Sequence, residues 1–390
     1  MAIGESGALA LSDIADEFGG STPHSLSEYY AGGANVDAGT EDGDGNDVPS
    51  SGTISLSHFY DTSAAPPAVF YGVRGIGMFG GYVGGGSWAS GTVNYWSLAS
   101  ATGTTASVAG ITAGGERGGA SNGTYVAALG GYYRSGSSAI RSATSRYIAM
   151  ASAGSASWSN PGDIYTPVGN AACGSNGTIV LHIGGYSQSA SAYIETIGQK
   201  TWASITANTN TFTSFGDLGV VYAGGGTGVS HSTYLIAVCG SQDGTYGVTT
   251  GRYVTMANAN AAVIVNSSTA HTGRGDGGSA SGIHSGDTPT HGYVACGYRP
   301  APASTGTNAI DVWAIASQGN GTNWGSAQLA SWDRSACGSG TRATVQGGND
   351  GGQSNAMDSF PTTSTSGSST DFGDLSFSPR SSGSSSGNAS

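Results

Sequence analysis

The chain has 390 residues, 69 of them glycine, with 9% charged side chains, a single lysine (Lys200) and a net charge of −12. Aromatic and β-branched residues recur in step with glycine-rich turns, which excludes a disordered chain, and the lack of a basic stripe excludes a nucleic-acid binder. No apolar run approaches the length of a membrane span and Met1 to Gly7 lacks a basic n-region, so the protein is expected to be made in a cytoplasm and not inserted into a membrane.

Acidic side chains are concentrated at the start: residues 1–61 hold eleven of them and no lysine or arginine. Within this segment Leu11-Ser12-Asp13-Ile14, Leu26-Ser27-Glu28-Tyr29-Tyr30 and Leu56-Ser57-His58-Phe59-Tyr60 read alike. The serine after each leucine is expected to cap a short helical turn, with Asp13 and Glu28 at the positive end of its dipole. Such short pieces are expected to fold as a compact appendage or to order against a partner or sister subunit. Residues 1–63 are therefore read as a small, mostly helical or irregular module, and 64–67 (Ala64-Ala65-Pro66-Pro67) as a stiff hinge. Asp42-Gly43-Asp44-Gly45-Asn46-Asp47 alternates oxygen ligands like the start of a calcium loop, yet lacks the later bidentate glutamate. Asp42, Asp44, Asn46 and Asp47 are read as a solvated acidic loop, with calcium the alternative and no other cofactor expected.

Residues 68–390 carry a repeat. Ile76-Gly77-Met78-Phe79-Gly80-Gly81, Val126-Ala127-Ala128-Leu129-Gly130-Gly131, Val180-Leu181-His182-Ile183-Gly184-Gly185, Leu235-Ile236-Ala237-Val238-Cys239-Gly240, Tyr293-Val294-Ala295-Cys296-Gly297 and Ala343-Thr344-Val345-Gln346-Gly347-Gly348 are hydrophobic runs ending in glycine. Their last glycines lie 50, 54, 55, 57 and 51 residues apart. A unit of about fifty residues is the mark of a kelch-like β-propeller with one four-stranded blade per unit, so the fold class expected is all-β, a six-bladed propeller. Only 42 residues follow Gly348, so the strand from Ala68 to Gly81 is expected to complete the last blade, pairing the two ends and leaving no open edge.

Smaller signs agree. Ser121-Asn122-Gly123-Thr124 and Ser175-Asn176-Gly177-Thr178 are expected to be tight hairpins with positive φ at both central positions. After the glycines come strand centres at Tyr95-Trp96, Tyr147-Ile148, Tyr193-Ile194, Tyr253-Val254, Val312-Trp313 and Ser359-Phe360. Phe215-Gly216-Asp217-Leu218 returns as Phe372-Gly373-Asp374-Leu375, with Pro161-Gly162-Asp163-Ile164 a weaker copy. Asp163, Asp217 and Asp374 are read as turn or cap residues rather than acid/base catalysts. The glycine doublets are expected to let strands crowd near an axis. Cys173 aligns with Cys337 and Cys239 with Cys296, which suits small buried thiols better than bridges or metal ligands. A polar insert holds His271, Arg274, Gly275, Asp276, His284, Asp287 and His291, without the spacing that preorganises metal ligands. It is read as a loop projecting for recognition.

The segment Val48-Pro49-Ser50-Ser51-Gly52-Thr53-Ile54-Ser55-Leu56-Ser57-His58-Phe59-Tyr60 resembles the Pro-x-Ser-Gly-x-Ile-x-Leu-Ser-x-Phe-Tyr stretch near the N-terminus of many tail-fibre and other virion structural proteins of tailed bacteriophages. The Phe-Gly-Asp-Leu units and strands ending in Gly-Gly-Tyr are similar to kelch-like repeats in such proteins. The resemblance implies a virion protein held to other virion proteins through residues 1–63, with Leu26, Tyr29, Tyr30, Ile54, Leu56, Phe59 and Tyr60 as the attachment module. It also implies a homo-oligomer, a trimer by analogy.

No nucleophile elbow, histidine metal motif or distinctive carboxylate pair is present, so an enzyme is not expected. The leading function is a tail fibre or spike recognising a host-surface glycan or protein, with Tyr82, Trp88, Tyr132, Tyr133, Tyr186, Tyr246 and Tyr298 in loops after the glycine ends as contacts for sugar rings. About half of these rings are expected to pack between blades instead. The alternative is a head-decoration, collar or baseplate component with the propeller as a rigid spacer. A polysaccharide-degrading tailspike is the remote one.

Overall fold

The computed structural model describes residues 8–387 except 19, 21, 32, 34, 37–47, 61, 63–73, 79–80, 83–87, 100–104, 109, 112–113, 136–137, 151–156, 210, 220–226, 231–233, 239–240, 243–244, 247–248, 257–263, 271–282, 285–290, 300–304, 315–316, 340, 350, 365 and 379–382. The chain divides into two compact units, Met1–Ala68 and Val69–Ser390. The acidic loop at Asp42, Asp44, Asn46 and Asp47, the hinge at 64–67 and Cys239 lie outside the described residues.

In the first unit each Leu-Ser stretch opens a helical turn: an α-helix at Leu11–Phe18 and 3₁₀ turns at Leu26–Tyr29 and Leu56–Phe59. In the two 3₁₀ turns the cap is the serine before the leucine, Ser25 and Ser55, a correction to the sequence reading, and in the helix the residue before the leucine is Ala10. The third residue of each turn closes it by accepting from the N–H of the residue before the leucine: Ala10 donates to Asp13 Oδ2 at 2.7 Å, Ser25 to Glu28 Oε1 at 2.9 Å, and Ser55 to His58 Nδ1 at 3.1 Å. One polar residue thereby satisfies a backbone donor left over at the start of each turn. Ile14, Phe18, Tyr29, Ala31, Val36, Val48 and Phe59 form this unit's own core, with Leu26, Ile54 and Leu56 packed on it and Tyr30 and Tyr60 half-buried. Phe59 meets Phe18 and Tyr29 edge-on at 6.0 and 6.3 Å. Glu28→Ala is expected to weaken the second turn by about 1 kcal/mol, read in the full chain as roughly fivefold faster amide exchange at Ser25 and Tyr29.

The second unit is mostly β, built of small antiparallel sheets. Sheet one is Gly383–Gly387, Arg74–Met78, Val93–Ser97 and Ala106–Val108. Sheet two is Gly118–Ser121, Tyr125–Leu129 and Arg146–Ala149, extended by a bridge from Tyr147 to Ser159. Sheet three is Ala172–Ser175, Ile179–Ile183, Thr196–Thr201 and Thr213–Asp217; sheet four is Thr227–Ser230, Tyr234–Val238, Thr250–Thr255 and Ile264–Thr269. Sheet five is Ile283–His284, His291–Arg299, Thr305–Ala314 and Thr322–Ser331, with Gly367–Ser368 added in parallel. Sheet six is Ser335–Gly338, Arg342–Gln346, Ala356–Pro361 and Thr370–Asp374.

The repeated hydrophobic runs are the second strands of these sheets. The two ends of the repeat region do pair, from Arg74 with Gly387 to Met78 with Gly383. The direction differs from the expectation: sheet six is complete without help, and the C-terminal strand supplies the first strand of sheet one. Successive first strands lie beside one another, and the series returns on itself where Gly383–Gly387 meets both Gly118–Ser121 and Ser335–Gly338. Apolar clusters fill the spaces between neighbouring sheets. Ile76, Val93, Val126 and Ile148 join sheets one and two; Leu181, Phe215, Leu235 and Val254 join three and four; Trp96, Cys337, Met357 and Phe372 join six and one.

Several local expectations are corrected. A Cβ on Gly118 would strike the Cys173 sulfur and one on Gly228 the Cys173 backbone, so crowding falls on the first strands. The doublets are crowded as well, and they add positive φ: Gly130 and Gly131 at 60° and 112°, Gly184 and Gly185 at 62° and 101°, Gly347 and Gly348 at 67° and 105°. At the Asn-Gly hairpins only Gly123 and Gly177 have positive φ. Asn122 Oδ1 accepts from Thr124 and Tyr125 N–H, and Asn176 Oδ1 from Thr178 and Ile179 N–H, so these asparagines act as side-chain caps of wider loops. Tyr193-Ile194 falls in a connecting hairpin, and the third strand of sheet three starts at Thr196. Phe-Gly-Asp-Leu marks a bulge in the fourth strand. Ile197 pairs with Gly216 but Gly198 with Ser214, Met357 with Gly373 but Asp358 with Asp371, and the skipped Phe215 and Phe372 are buried. Trp324-Gly325 repeats this in sheet five, where Ile310 pairs with Gly325 and Asp311 with Asn323. Asp163, Asp217 and Asp374 are exposed beside buried Ile164, Leu218 and Leu375.

Cys173, Cys296 and Cys337 are buried thiols outside any disulfide. Burial pushes Cys173 and Cys337 up to about 12. Of the polar insert, Ile283–His284 is a strand paired with Tyr293 and Gly292, and His291 begins the next, so these two histidines belong to sheet five rather than to a projecting loop. His271, Arg274, Gly275, Asp276 and Asp287 lie outside the described residues.

Candidate ligand-binding surface

The second and third strands are joined by small hairpins in the first four sheets: Gly81–Tyr82 with Trp88–Ser90, Tyr132–Ser135 with Ser138–Arg141, Tyr186–Ser187 with Ala192–Tyr193, and Ser241–Gln242 with Thr245–Tyr246. In sheet five the strands themselves run on, to Arg299 and Thr305; in sheet six Asn349 bridges Gln353 and Trp332. The aromatics singled out from sequence therefore occupy equivalent connections. The left-handed glycines turn the chain there, and in sheets two and three the segment entering the first strand packs against the hairpin: Gly115 bridges Tyr132, and Val168–Gly169 pairs with Tyr186–Ser187.

These aromatics differ in exposure. Tyr132 is 7% exposed, with Arg141 over its ring at 4.4 Å, and this burial removes it as a sugar-stacking face. Tyr133, Tyr186 and Tyr298 are half-buried, and Tyr298 packs edge-on against Trp332 at 5.7 Å. Tyr82, Trp88 and Tyr246 are strand residues whose side chains lie outside the described set.

Arg141 joins the hairpins of sheets two and three. Its guanidinium lies between the Tyr132 ring and the Tyr186 ring, at 5.1 Å from the latter, and pairs with Glu116 at 3.3 Å. Its backbone N–H donates to Gln188 Oε1 at 2.9 Å. Tyr186 in turn meets Tyr193 edge-on, ring centres 5.0 Å apart. A cation stacked on two rings and held by a carboxylate fixes both hairpins in one arrangement.

Glu116 has φ 56°, and the equivalent Asn170 and Asp333 have φ 58° and 60°. The next residue in two copies is a buried arginine. Arg117 donates to the Gly130 carbonyl at 3.2 Å, and Arg334 ion-pairs with Asp358 at 2.8 Å. Each runs beneath the glycine doublet, where a Cβ on Gly131 would come within 2.7 Å of Arg117 Cγ and one on Gly348 within 2.5 Å of Arg334 Cγ. Burial, then nearby Arg146, lowers Arg117 to about 10, so it stays charged at neutral pH. Sequence reading passed over this pattern, and over Arg141, Gln188 and Trp332. The signal was there: Glu116, Asn170 and Asp333 each stand fourteen residues before the first glycine of a doublet.

Among the described residues Tyr165, 49% exposed, is the large apolar side chain open to solvent; it too was passed over. It precedes Val168–Gly169, the strand that pairs with Tyr186–Ser187. Among the described residues no group of three or more histidine, cysteine or acidic side chains is placed to hold a metal, and no helix is long and apolar enough to cross a membrane. No protein-family model matches the chain, and no curated protein matches it in sequence.

Proposed function

We propose that residues 68–390 form a six-bladed, kelch-like propeller and that the protein is a bacteriophage virion component, a tail fibre or spike. It attaches to other virion proteins through residues 1–63, assembles as a homotrimer, and recognises a host-surface glycan through the hairpins after the second strands. The observation that carries this reading is the series of six sheets whose first strands adjoin in a closed order, with an aromatic-bearing hairpin at the same end of the second strand in sheet after sheet. Adjoining sheets of this kind place equivalent connections on a common face, where neutral polar groups and tyrosine rings suit a sugar. The first unit's separate core fits an attachment module.

The purified chain is expected to bind host cells and to block adsorption of the particle that carries it. Saturating protein that neither labels cells nor slows adsorption, with antibody labelling on the head or collar in electron micrographs, would replace this reading with the decoration role.

A further inference from the structure

We propose that the hairpin of sheet three, Tyr186–Ser187 with Ala192–Tyr193, is a subsite for one uncharged pyranose ring, held in the corner between Tyr186 and Tyr193, stacked on one ring with its edge against the other, and by hydrogen bonds from the Gln188 carboxamide. This subsite presupposes the receptor-binding role proposed above and gives that role a ligand class.

The first support is rigidity. Tyr186 and Tyr193 sit directly opposite in the hairpin, at 79° and 5.0 Å, and both keep part of their surface in solvent. Arg141 braces Tyr186 at 5.1 Å and is itself fixed by Tyr132 and Glu116. Rings already ordered lose little freedom when a ligand arrives. The apolar face of a pyranose fits an aromatic ring, and its rim of hydroxyls needs donors and acceptors beside it.

Gln188 supplies them. It is exposed, and its Oε1 accepts from the Arg141 N–H at 2.9 Å, which sets the amide plane and leaves two amide N–H donors for a ligand.

Charge selects the class of sugar. From Tyr165 to Ile194 the sequence has no aspartate, glutamate, lysine or arginine. The adjacent cation, Arg141, is neutralised by Glu116 at 3.3 Å. An anionic sugar would gain no ion pair from this segment.

The test is an array of neutral and acidic glycans probed with the full chain and its variants, with thermal melting as a folding check. Signal is expected on uncharged glycans, changing less than about twofold between roughly 0.05 and 0.5 M salt. Tyr186→Ala and Tyr193→Ala should each weaken binding about tenfold, Gln188→Ala about fivefold, while Tyr186→Phe retains it. Should an alanine variant of either tyrosine fail to fold, the exposed Gln188→Ala decides. Preference for acidic glycans with steep salt dependence, or neutral-glycan binding untouched by every folded variant, overturns the subsite and leaves the receptor-binding role standing. Loss of all glycan binding together with failure to bind host cells removes the role, and the subsite with it.

Discussion

Arg334→Met is expected to destabilise the second unit by about 3–5 kcal/mol, because it leaves a buried carboxylate without its counter-charge. Arg334 is fully buried and the Asp358 side chain is 3% exposed. Besides its 2.8 Å pair with Asp358 Oδ2, the guanidinium donates to the carbonyls of Val345 at 3.0 Å and Ala356 at 3.2 Å. It thus ties the segment entering sheet six to the second and third strands of that sheet. Burial opposes the charge, but Cys296 and Asp358 more than offset it, and the arginine's pKa is raised on balance. Removing both charges should cost much less than removing one. Arg334→Met combined with Asp358→Leu is therefore expected to recover most of the loss, since a well-packed apolar pair often replaces a buried ion pair without penalty. Urea midpoints of the wild type, the single variant and the double variant give the answer. A single variant within about 1 kcal/mol of wild type, or a double variant no better than the single, would refute this role for the pair.

Acid should destabilise the protein through His182, and His182→Leu should remove that sensitivity. The imidazole is fully buried in sheet three, packed on Phe212 at 5.6 Å, with neither ring nitrogen hydrogen-bonded among the described residues. Desolvation lowers its pKa from 6.5 to about 4. The folded form therefore keeps a neutral ring over a range in which the unfolded form takes up a proton. Above pH 6.5 the residue adds no pH dependence; between 6.5 and 4 stability falls as the pH drops, by about 3 kcal/mol at the lower end. The repeat positions matching His182 are Ala128 and Val345, so an apolar side chain suits the site. At pH 7.5 His182→Leu should be as stable as wild type or more so, because two unpaired nitrogens leave the core. At pH 4.5 the gap should widen by more than 1 kcal/mol. Parallel stability-versus-pH curves for the two proteins would show that the ring titrates normally.

How much was legible beforehand depends on what each residue responds to. The six second strands could be read because their apolar runs are local and regularly spaced, and pairing of the two ends followed from counting residues. The direction of closure could not be read: Gly383–Gly387 is glycine and serine, and nothing in such a strand marks it as the partner of Arg74–Met78. Glycine doublets announce themselves, but their cause is non-local. Gly131 and Gly348 avoid the stems of Arg117 and Arg334, and only the folded chain reveals what lies beneath. The aromatic bulge was half legible, as Phe-Gly-Asp-Leu was visible twice while Trp324-Gly325 kept the geometry and lost the letters. In the candidate site, the tyrosines stood out by position after the glycines. Arg141 did not, because its importance comes from meeting Tyr186, forty-five residues on, in the neighbouring sheet.

Gly383–Gly387, more than three hundred residues after its partner Arg74–Met78, is the first strand of sheet one. Until Gly387 has left the ribosome, Arg74–Met78 has a bare edge, and Gly118–Ser121 and Ser335–Gly338 lack the neighbour they share. A chain cut before Gly383 lacks the strand that pairs with Arg74–Met78, however many of its other strands are present.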